Sequence, residues 1–442
     1  MARPIEKEPG PAPGAMTRLH GAVIVIAALA LGVDLTEIAL SGALATIFAA
    51  PPHAMSPTVI GWLSASTYLG AIVGAPLSGL AARRWGYTRV LAGSLVLISL
   101  TSVLCAISPD VTWLALARGL SGLALGALPP LIIAWLTELA PNGRRGAMIT
   151  VTSALAYLGP PAALFWLRAA SHDFHQSWEA WRVLFAVLGL ASLALAPLLL
   201  WAPESADWLR GAGRGDRAMA QAERFSRSPV LAPPSPEARV IHSSRPAPGT
   251  REALVGLAIL YFLLPWSSVG FPLLTGPVLL ARGMNLNDSL YFVALAGFGP
   301  AIGGLLASFG VDRAPRATSL AILALAMLLF VAMFFGVSSR LAAGLAVVGF
   351  GVSGALYLPV VTLFGAELFA PRHRASATTL AWSINRLAAA VAPLLLLPLV
   401  KGGANWTVGG AILLSLGCTL GMLLVWRPGG AHQARKAEAC VS

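Results

Sequence analysis

Glu138-Leu139-Ala140-Pro141-Asn142-Gly143-Arg144-Arg145 closes one long apolar run, and Glu367-Leu368-Phe369-Ala370-Pro371-Arg372-His373-Arg374 closes another. Glu367 follows Glu138 by 229 residues, and Arg374 follows Arg145 by the same 229. The offset holds outward from this stretch as well. It carries Arg84 of a basic loop onto Arg313 and Pro130 inside the run onto Pro359. One such match is expected by chance, whereas several in matching contexts read as an internal repeat.

The runs around the repeat decide the solvent. Of 442 residues, 57% are hydrophobic and 11% charged, where a soluble domain carries about a quarter charged. So apolar a surface would aggregate in water, so the chain belongs in lipid. A helix needs about 20 mostly apolar residues to cross the hydrocarbon core, and helices pair their own backbone groups there. Twelve spans are expected, near 19–50, 58–81, 88–107, 111–137, 146–168, 181–202, 252–280, 288–309, 316–337, 340–367, 375–400 and 407–426. The fold class is therefore an all-α membrane protein of twelve transmembrane helices in two six-helix pseudo-repeats. The first run is too long for a secretory signal core and contains Asp34 and Glu37, so it reads as an uncleaved span.

Basic residues sort the loops. Arg83, Arg84 and Arg89, then Arg144 and Arg145, then 203–251, then Arg313 and Arg316, then Arg372 and Arg374 fall on one side. The alternate loops are poorer in Lys and Arg, so the first set is expected to be cytoplasmic, with both termini beside it. The expected localisation is the cell inner (plasma) membrane. The chain then divides into a tail (1–18), a bundle (19–202), a linker (203–251) containing Pro233, Pro234, Pro236, Pro246 and Pro248, a second bundle (252–427) and a tail (428–442). Some helix is expected near Asp207–Phe225 of the linker. The net charge of +12 is scattered through these loops with no basic stripe, which excludes a nucleic-acid partner. Cys105, Cys418 and Cys440 read as inert apolar thiols rather than disulfides or ligands. His172, Asp173 and His175 read as a solvated loop rather than a metal site. There is no nucleotide-binding glycine-rich loop, so neither ATP nor any other cofactor is implied.

Three segments resemble the major facilitator superfamily. Gly79-Leu80-Ala81-Ala82-Arg83-Arg84-Trp85-Gly86-Tyr87-Thr88-Arg89 is similar to its G-x-x-x-D-R-x-G-R loop, with Arg83 at the Asp position. The second half keeps Asp312-Arg313 there. Arg118 to Gly122, then Glu138 to Gly146, resemble the fourth-helix pattern of sugar porters and organic-ion relatives. Pro203-Glu204-Ser205-Ala206-Asp207-Trp208-Leu209 is similar to the P-E-S-P-R-W-L signature of that branch. The resemblance implies a secondary transporter working by alternating access, of the aromatic-acid or niacin proton-symporter type.

Ionisable groups inside a membrane need a partner or a function. Asp34 and Glu37 lie three apart on one face of the first span. The resemblance implies a proton-coupling pair from Asp34 and Arg118, a purely structural ion pair being the alternative, while Glu37 reads either as a group lining the cavity or as an auxiliary acid. Arg386 lies in span eleven, in Ser383-Ile384-Asn385-Arg386-Leu387. Its planar fork suits a substrate carboxylate; a salt bridge within the protein, for instance to Glu37, is the alternative. Asn385, Tyr157, Trp266 and Trp382 are candidate substrate contacts, or else packing groups. Glu138 with Arg145, Glu367 with Arg374, and Arg84, Asp312 and Arg313 are candidate gating latches. Sugar is disfavoured, because Tyr261 to Ser268 lacks the paired Gln and the Asn of span seven in sugar porters.

The expected partners are a small organic solute carrying a carboxylate, protons and the bilayer, and one chain holds both faces of the site, so a monomer is expected. Proton-antiport export of drugs or metabolites stays open, since Gly159-Pro160-Pro161 partly echoes an exporter motif. A membrane enzyme would need a nucleophile or base near the interface, and none stands out. A sensor that has kept the fold is raised by the altered Arg83.

Overall fold

The computed structural model describes residues 16–141, 144–170, 179–225, 250–310, 316–369, 371–403 and 405–425. Asp312, Arg313, Cys440 and the His172, Asp173 and His175 cluster lie outside the described residues, and so do the side chains of Glu367 and Arg374.

Twelve helices are long and apolar enough to cross a membrane: span 1 (Arg18–Ala49), span 2 (Pro57–Trp85), span 3 (Tyr87–Ala106), span 4 (Val111–Leu139), span 5 (Arg145–Ala170), span 6 (Ala180–Trp201), span 7 (Arg251–Ala281), span 8 (Leu286–Leu306), span 9 (Arg316–Gly336), span 10 (Arg340–Thr362), span 11 (Leu380–Val400) and span 12 (Trp406–Val425). Each meets its expected range to within a few residues. The described part of the linker forms two short helices, Ala206–Gly211 and Gly215–Phe225, where one helical stretch is expected.

Several spans are broken, and proline explains where. A proline has no N–H, so the carbonyl four residues before it loses its helical donor. Span 4 turns between Leu125 and Leu128, ahead of Pro129 and Pro130. Span 5 turns between Ala156 and Gly159, ahead of Pro160 and Pro161. Span 7 contains Pro265 and breaks between Ser268 and Gly270, ahead of Pro272. Irregular backbone at membrane depth persists where protein buries it; Gly126 and Ala127, at the turn of span 4, are buried.

Small residues set the closest contacts. A Cβ on Gly70 would strike the Gly119 carbonyl, and one on Gly74 the Leu123 carbonyl, so spans 2 and 4 touch backbone to backbone. In the second half a Cβ on Gly299 would strike the Val348 carbonyl, and one on Gly303 the Val352 carbonyl at 2.5 Å. Both glycines and both carbonyls lie 229 residues beyond their counterparts. The repeat is thus one of packing as well as of sequence.

The halves meet mainly along spans 1 and 7, spans 2 and 11, and spans 5 and 8, and span 1 also touches span 8. Tyr68 of span 2 packs on Ala389 and Ala390 of span 11, and a Cβ on Gly61 would meet the Pro393 carbonyl at 3.2 Å. Cys105 is buried as expected, whereas Cys418 is exposed on the outer face of span 12, where apolar side chains meet lipid.

Candidate functional site

Span 1 carries its two carboxylates near its middle, and neither has any exposed surface. Glu37 is saturated. Arg118 donates Nη1 to Glu37 Oε2 at 2.6 Å, and Ser102 of span 3 donates its hydroxyl to Glu37 Oε1 at 2.5 Å. Arg118 Nη2 donates to the Glu37 carbonyl and to Ser41 Oγ, each at 2.8 Å, and its guanidinium lies over the Phe185 ring. Two charges taken out of water need geometry of this kind to be tolerated. The cluster ties spans 1, 3, 4 and 6 inside the first half.

This differs from the pairing of Asp34 with Arg118 that the resemblance implies. Three residues of helix separate Asp34 from Glu37 by about 4.5 Å along the axis. Arg118 contacts Glu37 and Ser41, one turn apart, so its guanidinium lies level with them and beyond Asp34. Nor does Glu37 form a bridge with Arg386; its ion pair in the structure is with Arg118.

Asp34 is the opposite case. Both of its carboxyl oxygens are buried without a hydrogen-bond partner, and so is Arg386 Nε. Arg386, from span 11 of the other half, lies within electrostatic reach of Asp34. Tyr157, at the turn of span 5, lies within reach of Asp34 as well, and Tyr68 of span 2 within reach of Arg386. The Arg386 guanidinium lies 4.9 Å from the centre of the Trp382 ring. Trp382 meets the ring of Tyr261 edge-on at 6.1 Å. A buried carboxyl group of one half and a guanidinium of the other thus lie within electrostatic reach, the guanidinium against the Trp382 ring, with polar atoms unsatisfied on both. An unsatisfied buried polar atom is costly and calls for an explanation.

The remaining candidates separate. Asn385 is buried and donates Nδ2 to the Tyr261 carbonyl at 3.1 Å, so its amide N–H holds span 7. Trp266 packs on Phe262, and its Nε1 is buried without a partner. Arg84 and Arg145 are exposed. Glu138 accepts from the Tyr87 hydroxyl at 2.7 Å and from the Ser205 hydroxyl. Its two oxygens thus go to hydroxyls rather than to the expected Arg145, which points to solvent.

Sequence reasoning quoted Glu204 in a motif and assigned it no role. Its oxygens accept from the Tyr87 and Thr88 backbone N–H groups, each at 3.1 Å, and from the Thr88 hydroxyl at 2.9 Å. They cap the start of span 3, where a helix presents unpaired donors and favours negative charge. Gly86 makes room: its φ is +92°, and a Cβ there would strike Glu204 Oε2. Trp208 donates Nε1 to the Arg83 carbonyl, and Trp135 to the Pro203 carbonyl. The Pro203–Leu209 segment is thereby seated on spans 2, 3 and 4. Ser102 and Tyr68 also escaped notice; a polar tip in mid-span was their only signal.

The sequence model described as Major Facilitator Superfamily matches residues 22–393. Over 380 residues the chain is 26% identical to the arabinose-proton symporter of Bacillus subtilis (strain 168), covering 81% of this chain and 77% of that protein. Over 185 residues it is 37% identical to the 3-(3-hydroxy-phenyl)propionate transporter of Escherichia coli (strain K12), a match spanning 41% of this chain and 43% of that one. In fold it is similar to the xylose transporter XylE from E. coli in a partially occluded inward-open conformation, with a TM-score of 0.73, 20% identity, and coverage of 90% of this chain and 97% of that one.

Proposed function

The chain belongs to the Major Facilitator Superfamily and is a membrane transporter rather than an enzyme; on that premise we propose that it moves a small organic carboxylate together with a proton. The observation that carries this reading is Asp34, buried with both oxygens unpaired, within electrostatic reach of Arg386 of the other half, whose Nε is unpaired too.

The chemistry follows from charge balance. A carboxylate in a dry site is tolerated while a cation balances it. A solute carboxylate that takes the guanidinium fork of Arg386 removes that balance, and a proton on Asp34 restores it. Solute and proton then load together, and neither half-loaded state is electrostatically favourable. Rocking of the halves about the site opens it to one side at a time. The rings of Trp382, Tyr157 and Trp266 offer faces and edges to an aromatic solute. The hydroxyphenylpropionate relative is an aromatic-acid transporter, which supports that class. Glu37 and Arg118 form a second pair, whose separation would accompany movement of span 1 against span 4. Glu138, Arg145, Glu367, Arg374, Arg84, Asp312 and Arg313 gate the cytoplasmic end. The protein acts as a monomer in the cell inner (plasma) membrane with both termini in the cytoplasm.

The test is uptake into proteoliposomes under an inward proton gradient. Benzoate and 3-phenylpropionate are offered beside a sugar, an amino acid and a cationic dye. Gradient-driven accumulation of a carboxylate, lost in Asp34→Asn, is the expected result. Exclusion of every anion, with gradient-driven exchange of the dye, would overturn it in favour of an exporter.

A further inference from the structure

Span 7 has a gap in its backbone ladder that span 11 fills. Pro265 has no N–H, so the Tyr261 carbonyl, four residues before it, has no helical donor. A buried carbonyl without a partner costs about 1–3 kcal/mol. Asn385 supplies the missing donor from its side chain, at 3.1 Å in a buried setting. Tyr261 is therefore held at its backbone by span 11, and its buried ring stands edge-on to Trp382 of the same span.

We propose that Asn385 is a positioning residue for Arg386. Successive residues of a helix point about 100° apart. With Asn385 tied to span 7 inside its own half, the next side chain is turned toward span 1 of the other half, where Asp34 lies. The Tyr261 ring meets Trp382, and Trp382 meets the guanidinium, so the same clasp sets the aromatic wall on which Arg386 rests. Without it span 11 is free to rotate and the fork loses its aim. The inference rests on the reading of Arg386 as the partner of a solute carboxylate.

A double-mutant cycle on Asn385→Ala and Pro265→Ala tests it. Pro265→Ala returns an N–H to the Tyr261 carbonyl, so the donor from span 11 is no longer needed. Benzoate uptake under an inward proton gradient and thermal unfolding in detergent are measured for the wild type and all three variants. Asn385→Ala alone raises the KM for benzoate about tenfold, with a smaller change in the maximal rate, and lowers the unfolding temperature. In the Pro265→Ala background the same change has little effect on either. Equal losses in both backgrounds, or an unchanged KM with a lowered maximal rate, would overturn the proposal. If the wild type takes up no benzoate, the substrate reading fails by itself, and the unfolding cycle still decides whether the clasp exists.

Discussion

In the first half Asp34, Glu37 and Arg118 occupy positions that, 229 residues on, hold Leu263, Trp266 and Val347. The glycine contacts between spans 2 and 4 return at the same offset between spans 8 and 10, carbonyl for carbonyl. The halves thus share a scaffold of backbone contacts and differ in what they place inside it. One holds the acids and a buried guanidinium; the other holds aromatic rings, a clasped proline and Arg386, whose counterpart is Tyr157. Packing is a requirement each half must meet by itself. A charge balance across the interface needs the halves to be unlike. Duplication supplies the first, and divergence within the scaffold supplies the second.

Breaking the charged cluster is expected to give the largest effect. Arg118→Leu leaves Glu37 buried without its cation and lowers stability by about 3–5 kcal/mol. Val347→Leu, at the same offset, adds one methylene to a packed site and costs about 1–3 kcal/mol. Thermal unfolding of both in detergent checks the contrast, and equal losses would show that the cluster is no more demanding than ordinary packing. Next comes Asp34→Asn. It should cut gradient-driven accumulation at least about a hundredfold, equivalent to roughly 2.7 kcal/mol, while leaving exchange of preloaded solute. Loss of exchange as well would place Asp34 in solute binding rather than in coupling.

The shared scaffold is probed by adding one side chain at a time. Gly74→Val and Gly303→Val each force a Cβ into a facing carbonyl and should destabilise by about 1–3 kcal/mol, by similar amounts in the two halves. Tolerance of one and not the other would mean that the matching offset is a coincidence of sequence. The smallest effect belongs to a device described only for the first half. Glu204→Gln weakens the cap on span 3 by about 1 kcal/mol, read as a drop of a few degrees in unfolding temperature. An unchanged midpoint would leave Glu204 without a role in holding span 3.

Much of this comparison was legible in the chain. Run length gave the twelve spans, because the bilayer imposes one thickness on every helix. The offset gave the repeat, and rarity in lipid singled out Asp34, Glu37, Arg118 and Arg386 as groups needing an explanation. What failed was pairing. Asp34 and Glu37 share a helix face, and one turn decides which of them meets Arg118. That depends on the height of span 4 against span 1, which no local pattern encodes. For Asn385 the sequence leaves solute contact and packing side by side, because its partner in the structure is a backbone carbonyl made available by a proline on another helix. Glu204 looked like part of a signature, and its work as a cap appears once the start of span 3 lies beside it.

The sequence by itself determined that this chain lives in lipid, crosses it twelve times and is built from two related halves, because hydrophobic length and the offset between matching residues are written along the chain. Tertiary structure alone decided that the halves repeat their packing, that Glu37 is the acid bound to Arg118, that Asp34 is left without a hydrogen-bond partner, and that Asn385 completes span 7. Those outcomes turn on the relative height and rotation of separate helices, where a few ångströms decide whether a buried charge finds its partner.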